Sequence, residues 1–167
     1  VLFGDGAGAA YLEESDKGII SVVQGSIGKK GMVLNCESRR THNIFTEDGI
    51  EHDYLHMDGQ EVYKFAVRQC PKCLLEALEK ADMTADDIDY FVLHQANVRI
   101  IESVAKRLKA PVEKFPMTLG YTGNMSAASV PVMLDSLVRD GGLKRGDKVA
   151  MSAFGAGLTY GAIVLEW

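Results

Sequence analysis

Three short stretches carry side chains that could do chemistry: His94-Gln95-Ala96-Asn97, then Gly123-Asn124, then Phe154-Gly155-Ala156-Gly157. An imidazole and a carboxamide delivered from strand or loop ends are the donors needed to hold negative charge on a carbonyl oxygen as it becomes an enolate. The pattern points to carbon-carbon bond chemistry on a thioester. No residue reads as the nucleophile such a site also needs, so the expectation is half of an active site. Each residue taken singly has a plainer reading. A histidine after a buried strand is commonly a packed, hydrogen-bonded side chain, Asn124 after Gly123 suits a turn, and Asn97 suits the N-cap of a following helix.

These side chains need elements to position them. Val1-Leu2-Phe3 starts as an apolar strand and runs through Gly4-Asp5-Gly6-Ala7-Gly8-Ala9 to Tyr11-Leu12, where residues 13–18 form a hairpin turn. The β-branched run 19–27 is expected to pair with it. The glycines invite a dinucleotide-binding reading, but that fingerprint requires a helix after them, and close backbone packing fits better. Residues 28–56, polar and irregular with Asn35, Arg39, Arg40 and Asn43, read as a long functional loop.

From Gly59, the apolar positions Val62, Phe65, Ala66, Cys73, Leu74, Ala77 and Leu78 recur at helical spacing, with a kink expected at Pro71. Residues 84–87 turn into a strand at 90–93, and a second helix follows His94. Its buried stripe is Ile100, Ile101, Val104, Ala105 and Leu108; Arg99 and Lys106 lie opposite, with Arg107 nearby, and Pro111 ends it. Residues 120–123 form a turn-rich loop. A third helix over 126–138 bends at Pro131, stops at Gly141-Gly142, and has small residues Ala127, Ala128 and Ser129 for close packing. Strands at 149–154 and 159–165 flank the last glycine-rich turn. This order predicts a single layered α/β domain over 1–167, with helices on one mixed sheet.

Composition sets outer bounds. The chain has 167 residues, 47% hydrophobic and 25% charged, enough for one good core. A net charge of -5 offers no electrostatic footprint for nucleic acid, and no apolar run approaches the roughly 20 residues of a membrane span. Three cysteines make no disulfide framework, so a reducing, intracellular setting is expected. Cys70-Pro71-Lys72-Cys73 has the spacing of a zinc or redox half-motif, but it lacks two further ligands and does not open a helix. A start without Met or signal sequence suggests that the chain begins inside a larger protein.

Five motifs in one order resemble the C-terminal half of a β-ketoacyl-acyl-carrier-protein synthase III, one of the thiolase-fold condensing enzymes. They are residues 3–9, Met57-Asp58-Gly59, His94-Gln95-Ala96-Asn97, Gly123-Asn124 with residues 126–131, and residues 154–159. The resemblance implies two similar five-stranded halves in a layered sandwich, of which this chain is the second, with the N-terminal half absent. It implies a decarboxylative Claisen condensation of an acyl-coenzyme A primer with malonyl-acyl carrier protein, at the start of fatty acid biosynthesis. His94 and Asn124 would hold the malonyl thioester oxygen. The nucleophilic cysteine would lie in the other half, at a helix start that favours thiolate, so the fragment alone should be inactive.

By the same resemblance Ala156 stands where a backbone N–H completes an oxyanion hole, Phe154 shields the site from water, and Asn97 reaches it. Many relatives have glycine at the position of Ala156, so its methyl is tolerated only with suitable dihedrals. Gly59, Gln60 and Tyr63 would line the pantetheine tunnel, while Lys64, Arg99, Lys106 and Arg107 would dock acidic acyl carrier protein. No cofactor or metal is implied; coenzyme A thioester and the phosphopantetheine arm are substrates. A cytoplasmic homodimer is expected. A polyketide-type condensing enzyme would share His94 and Asn124, and a free-standing half would instead be a non-catalytic binding or dimerisation module.

Overall fold

The computed structural model describes residues 2–36 and 54–167. Its main sheet has four strands in the order β1-β6-β5-β4, formed by β1 (Ile19–Ser26), β4 (Tyr90–Leu93), β5 (Lys148–Gly155) and β6 (Thr159–Glu166). β4 runs parallel to β5, and the other two pairings are antiparallel, so the sheet is mixed. A small ribbon joins β2 (Leu34–Asn35) to β3 (His56–Met57). Of the expected loop 28–56, residues 28–33 form a 3-10 turn leading into this ribbon. Arg39, Arg40 and Asn43 lie outside the described residues.

Strand alternation divides the core in two. Phe91 and Leu93 point to one face, where they meet Leu74, Leu78, Ile101 and Val104 from α1 (Gly59–Lys80) and α2 (Val98–Leu108). Val92 and Val149 point to the other, packing on Met133 and Leu137 of α4 (Ser129–Arg139). On β1, Ser21 and Val23 turn inward while Ile20 and Val22 remain exposed. Val22 shares a shallow groove with Met151, Ala153 and Ile163, bordered by Val130 of α4.

Helix ends follow from local chemistry. Asp58 caps α1, its carboxylate accepting the N–H groups of Gln60 and Glu61 at 3.1 and 3.0 Å. The helix runs on through Pro71 as a single element. Asn97 caps α2 by accepting Arg99 N–H at 2.9 Å, and Lys109 closes that helix in the left-handed region at φ 57°, two residues before Pro111. Pro131 falls in the first turn of α4, where its missing N–H has no intrahelical partner to lose. The loop expected at 120–123 instead holds one helical turn, α3 (Leu119–Thr122). No helix among the described residues is long and apolar enough to cross a membrane.

Among the described residues the sheet has four strands where five were expected. The first segment forms no hairpin with β1, which pairs with β6 instead; Leu2, Tyr11 and Leu12 stay exposed, and one parallel bridge links Phe3 to Asn124. Its run of glycine and alanine offers little side chain to bury against a sheet, but it permits a close crossing. A Cβ on Gly4 would stand 2.0 Å from Thr122 O, and one on Gly6 would stand 2.4 Å from Met125 Sδ. At Gly4 glycine is needed for backbone contact, as the sequence suggests, whereas Gly6 packs on the Met125 side chain.

Candidate active site

His94 follows β4 directly, and two contacts set its position. Its N–H donates to Ser152 O on β5 at 2.9 Å, and its Nδ1 lies 2.7 Å from Ser129 Oγ at the start of α4. The ring stands edge-on to Phe154, with centroids 5.3 Å apart. Burial pushes the imidazole below its ordinary pKa, so His94 is neutral at pH 7. Gln95, wholly buried, braces the turn: its Nε2 donates to Leu93 O at 2.9 Å and its Oε1 accepts Thr118 N–H at 3.1 Å. That ties the histidine turn to the segment leading into Asn124.

Asn124 forms an isolated bridge with Phe3 and lines a pocket with His94. Its Oδ1 accepts Ser126 N–H at 2.9 Å, which orients the amide and leaves the Nδ2 hydrogens to donate. Gly4 N–H donates to Asn124 O at 3.0 Å, so the first segment buttresses this loop. Asn97 likewise uses Oδ1 for its cap and keeps Nδ2 for other partners.

His94, Asn97, Asn124, Phe154 and Ala156 all line one pocket of about 340 Å³. Its other walls are mainly apolar: Leu2, Phe3, Leu34, Leu55, Met57, Val62 and Ile100. Among the described residues, no Asp, Glu, Lys or Arg lines it. Hydrogen-bond donors in an apolar pocket stabilise developing negative charge far better than they would in water.

Other expected residues divide. Gly59 and Tyr63 line the pocket, whereas Gln60 does not; its backbone N–H points to the cap at Asp58 instead. Ala156 avoids the positive-φ region, which among the described non-glycine residues is occupied by Asp82, Lys109 and Ser126, so its methyl brings no backbone strain. Lys64 is engaged by Glu61 at 3.0 Å. Arg99, Lys106 and Arg107 stand exposed on α2 without an ion pair among the described residues. Cys70 and Cys73 are free, and burial pushes their thiols up to about 12 and about 11, so both are inert core side chains. Ser129 and Gln95 were missed as site residues. Gln95 shares a motif with His94, but Ser129 lies 35 residues away and its small size pointed only to packing.

Residues 78–167 match the model of the 3-oxoacyl-[acyl-carrier-protein (ACP)] synthase III C-terminal family. The chain belongs to this family. It is 47% identical over 173 residues to the β-ketoacyl-[acyl-carrier-protein] synthase III of Synechococcus sp. (strain WH7803), covering 100% of this chain and 51% of that protein. The crystal structure of 3-oxoacyl-[acyl-carrier-protein] synthase III from Aquifex aeolicus VF5 superposes with a TM-score of 0.81 at 34% identity, covering 93% of this chain and 46% of that one. The priming β-ketosynthase of the R1128 polyketide biosynthetic pathway superposes at 0.79 with 38% identity, over 89% and 45%. The chain thus spans about half the length of the relatives it matches. Its mixed sheet and packed helices are those of a thiolase-like half.

Proposed function

We propose that this chain works as the second half of a β-ketoacyl-acyl-carrier-protein synthase III. An N-terminal half supplies the cysteine that takes an acyl group from coenzyme A. Malonyl carried on acyl carrier protein then loses carbon dioxide, and the enolate attacks the acyl-cysteine thioester. His94 and Asn124 hold the enolate oxygen, Ala156 offers a backbone N–H to the acyl thioester, and Phe154 helps exclude water. The observation that carries this reading is the convergence of His94 and Asn124 on one mainly apolar pocket, with the Asn124 carboxamide oriented to donate.

In the complete protein, His94→Ala and Asn124→Ala are each expected to slow malonyl decarboxylation about a hundredfold or more while acyl transfer to cysteine persists in part. Radiolabelled malonyl-acyl carrier protein follows the first step and mass spectrometry of the acyl-enzyme follows the second. Decarboxylation at the unaltered rate in either variant would sink the assignment. The complete enzyme is a cytoplasmic homodimer on this reading, with acyl carrier protein docking at Arg99, Lys106 and Arg107.

A second reading is favoured by the likeness to the polyketide priming β-ketosynthase. It keeps His94 and Asn124 in the same roles and changes the primer and carrier. Competition between acyl-coenzyme A primers of different length separates the two.

A further inference from the structure

Ser129 lies fully buried at the start of α4, and its hydroxyl sits between three groups. Ser126 O is 2.9 Å away, Gln95 N is 3.2 Å away, and His94 Nδ1 is 2.7 Å away. A hydroxyl has one proton to give and two lone pairs to receive. The Gln95 N–H can only donate, and the Ser126 carbonyl can only accept. All three contacts are hydrogen bonds together in one arrangement: the hydroxyl proton goes to Ser126 O, one lone pair takes the Gln95 N–H, and the other takes a proton on Nδ1. If Nδ1 were bare, the hydroxyl would have to turn towards it and leave Ser126.

The other ring nitrogen has a different environment. Nε2 makes no hydrogen bond among the described residues, and His94 opens onto two adjoining pockets. Among the described residues neither is lined by Asp, Glu, Lys or Arg, and the titratable neighbours are Tyr63 from α1 and Tyr160 from β6. Among the described residues the ring's side-chain hydrogen-bond partner is Ser129.

We propose that Ser129 is a positioning residue that keeps neutral His94 protonated on Nδ1, so that Nε2 meets the substrate as an acceptor and becomes a donor only when the ring gains a second proton. Its bearing on catalysis rests on the function proposed above. The two donors are then unequal: Asn124 donates at every pH, and His94 donates only as imidazolium. A malonyl thioester carries a carboxylate into an uncharged pocket, where nearby negative charge favours the protonated ring. Binding therefore takes one proton from solvent onto Nε2. When carbon dioxide leaves, the electron pair of the broken carbon-carbon bond moves into the enolate, whose oxygen meets that Nε2–H.

The test uses the complete protein labelled with 15N-histidine and free of substrate. Ring nitrogen resonances above the His94 pKa are expected to show the proton on Nδ1 over Nε2 by roughly fivefold or more, the effect of one hydrogen bond. Ser129→Ala should even out or reverse that ratio, and Ser129→Thr, which keeps a hydroxyl, should restore it. A neutral ring protonated on Nε2 in the unaltered protein overturns the proposal, as does a ratio that Ser129→Ala leaves unmoved. The unaltered protein decides the point by itself if the alanine variant does not fold. Malonyl-coenzyme A added in weakly buffered dye solution should be accompanied by proton uptake, and its absence overturns the donor step. The tautomer is read without turnover, so an active His94→Ala variant would defeat the functional reading while leaving the tautomer result standing.

Discussion

At the residue scale, the two ends of one carboxamide have different tasks on the proposed reading. Asn124 spends Oδ1 on Ser126 N–H and keeps Nδ2 for the pocket. Asn124→Asp separates the two: a carboxylate still accepts the Ser126 N–H but has no hydrogen to give and adds a charge. The variant is expected to keep its melting temperature within a few degrees while decarboxylation falls about a hundredfold or more; near-normal turnover would show that donation from Nδ2 is unimportant. The types and order of His94, Asn97, Asn124 and Phe154 were legible in the sequence because each stands beside a strong local signal, the end of a strand or the start of a helix or turn. Ser129 was not, because its contact with His94 exists only once α4 has packed beside β4, and nothing local to residues 126–131 announces it. Gln60 was carried along by its neighbours Gly59 and Tyr63, yet the helical rotation at that position turns it away from the pocket.

At the element scale, α1 is held at its N-terminus by more than its cap. Glu61 in its first turn takes Lys30 at 2.9 Å and Lys64 at 3.0 Å, and these bonds, led by Lys30, lower its carboxyl pKa to about 2 from 4.5. Because the folded value is depressed, the contribution to stability is fully present above pH 4.5 and is lost as pH falls towards about 2. Carboxyl 13C shifts of Glu61 should titrate in that low range, and Lys30→Met should move the midpoint back towards 4.5. An unchanged midpoint would mean that the bridge does not form in solution. The pair joins the helix to the 3-10 turn before β2, so it fixes the wall that brings Gly59 and Tyr63 to the pocket. Helices and the last two strands were readable from periodicity, as with the stripe Ile100, Ile101, Val104, Ala105 and Leu108, which is buried throughout. The first segment misled because Leu2, Phe3, Tyr11 and Leu12 look like strand ends, whereas the glycines between them serve a crossing over residues 122–131.

At the scale of the whole molecule, the net charge is negative while one helix face is basic. Arg99, Lys106 and Arg107 stand unpaired among the described residues, unlike Lys64, whose charge is met by Glu61. Charge reversal at Arg99 and Lys106 is expected to raise the KM for malonyl-acyl carrier protein and to flatten its salt dependence, with KM for acyl-coenzyme A little changed. A KM for the carrier-linked substrate that stays put would remove α2 as the docking face. The outward side of the sheet, with Val22, Met151, Ala153 and Ile163, is where a second half would find apolar surface to cover. The crossing of Gly4 over Asn124 bears on how such a protein could be divided for reconstitution from two separately expressed pieces. A break placed ahead of Leu2 leaves the bracing of the asparagine loop with the piece that holds the asparagine. A break in the turn at 16–18 hands that bracing to the other piece, and the loop then reaches its working shape only after the two have met. Two such divisions, differing by so short a stretch, would therefore assemble to similar extents and differ in how promptly they turn over.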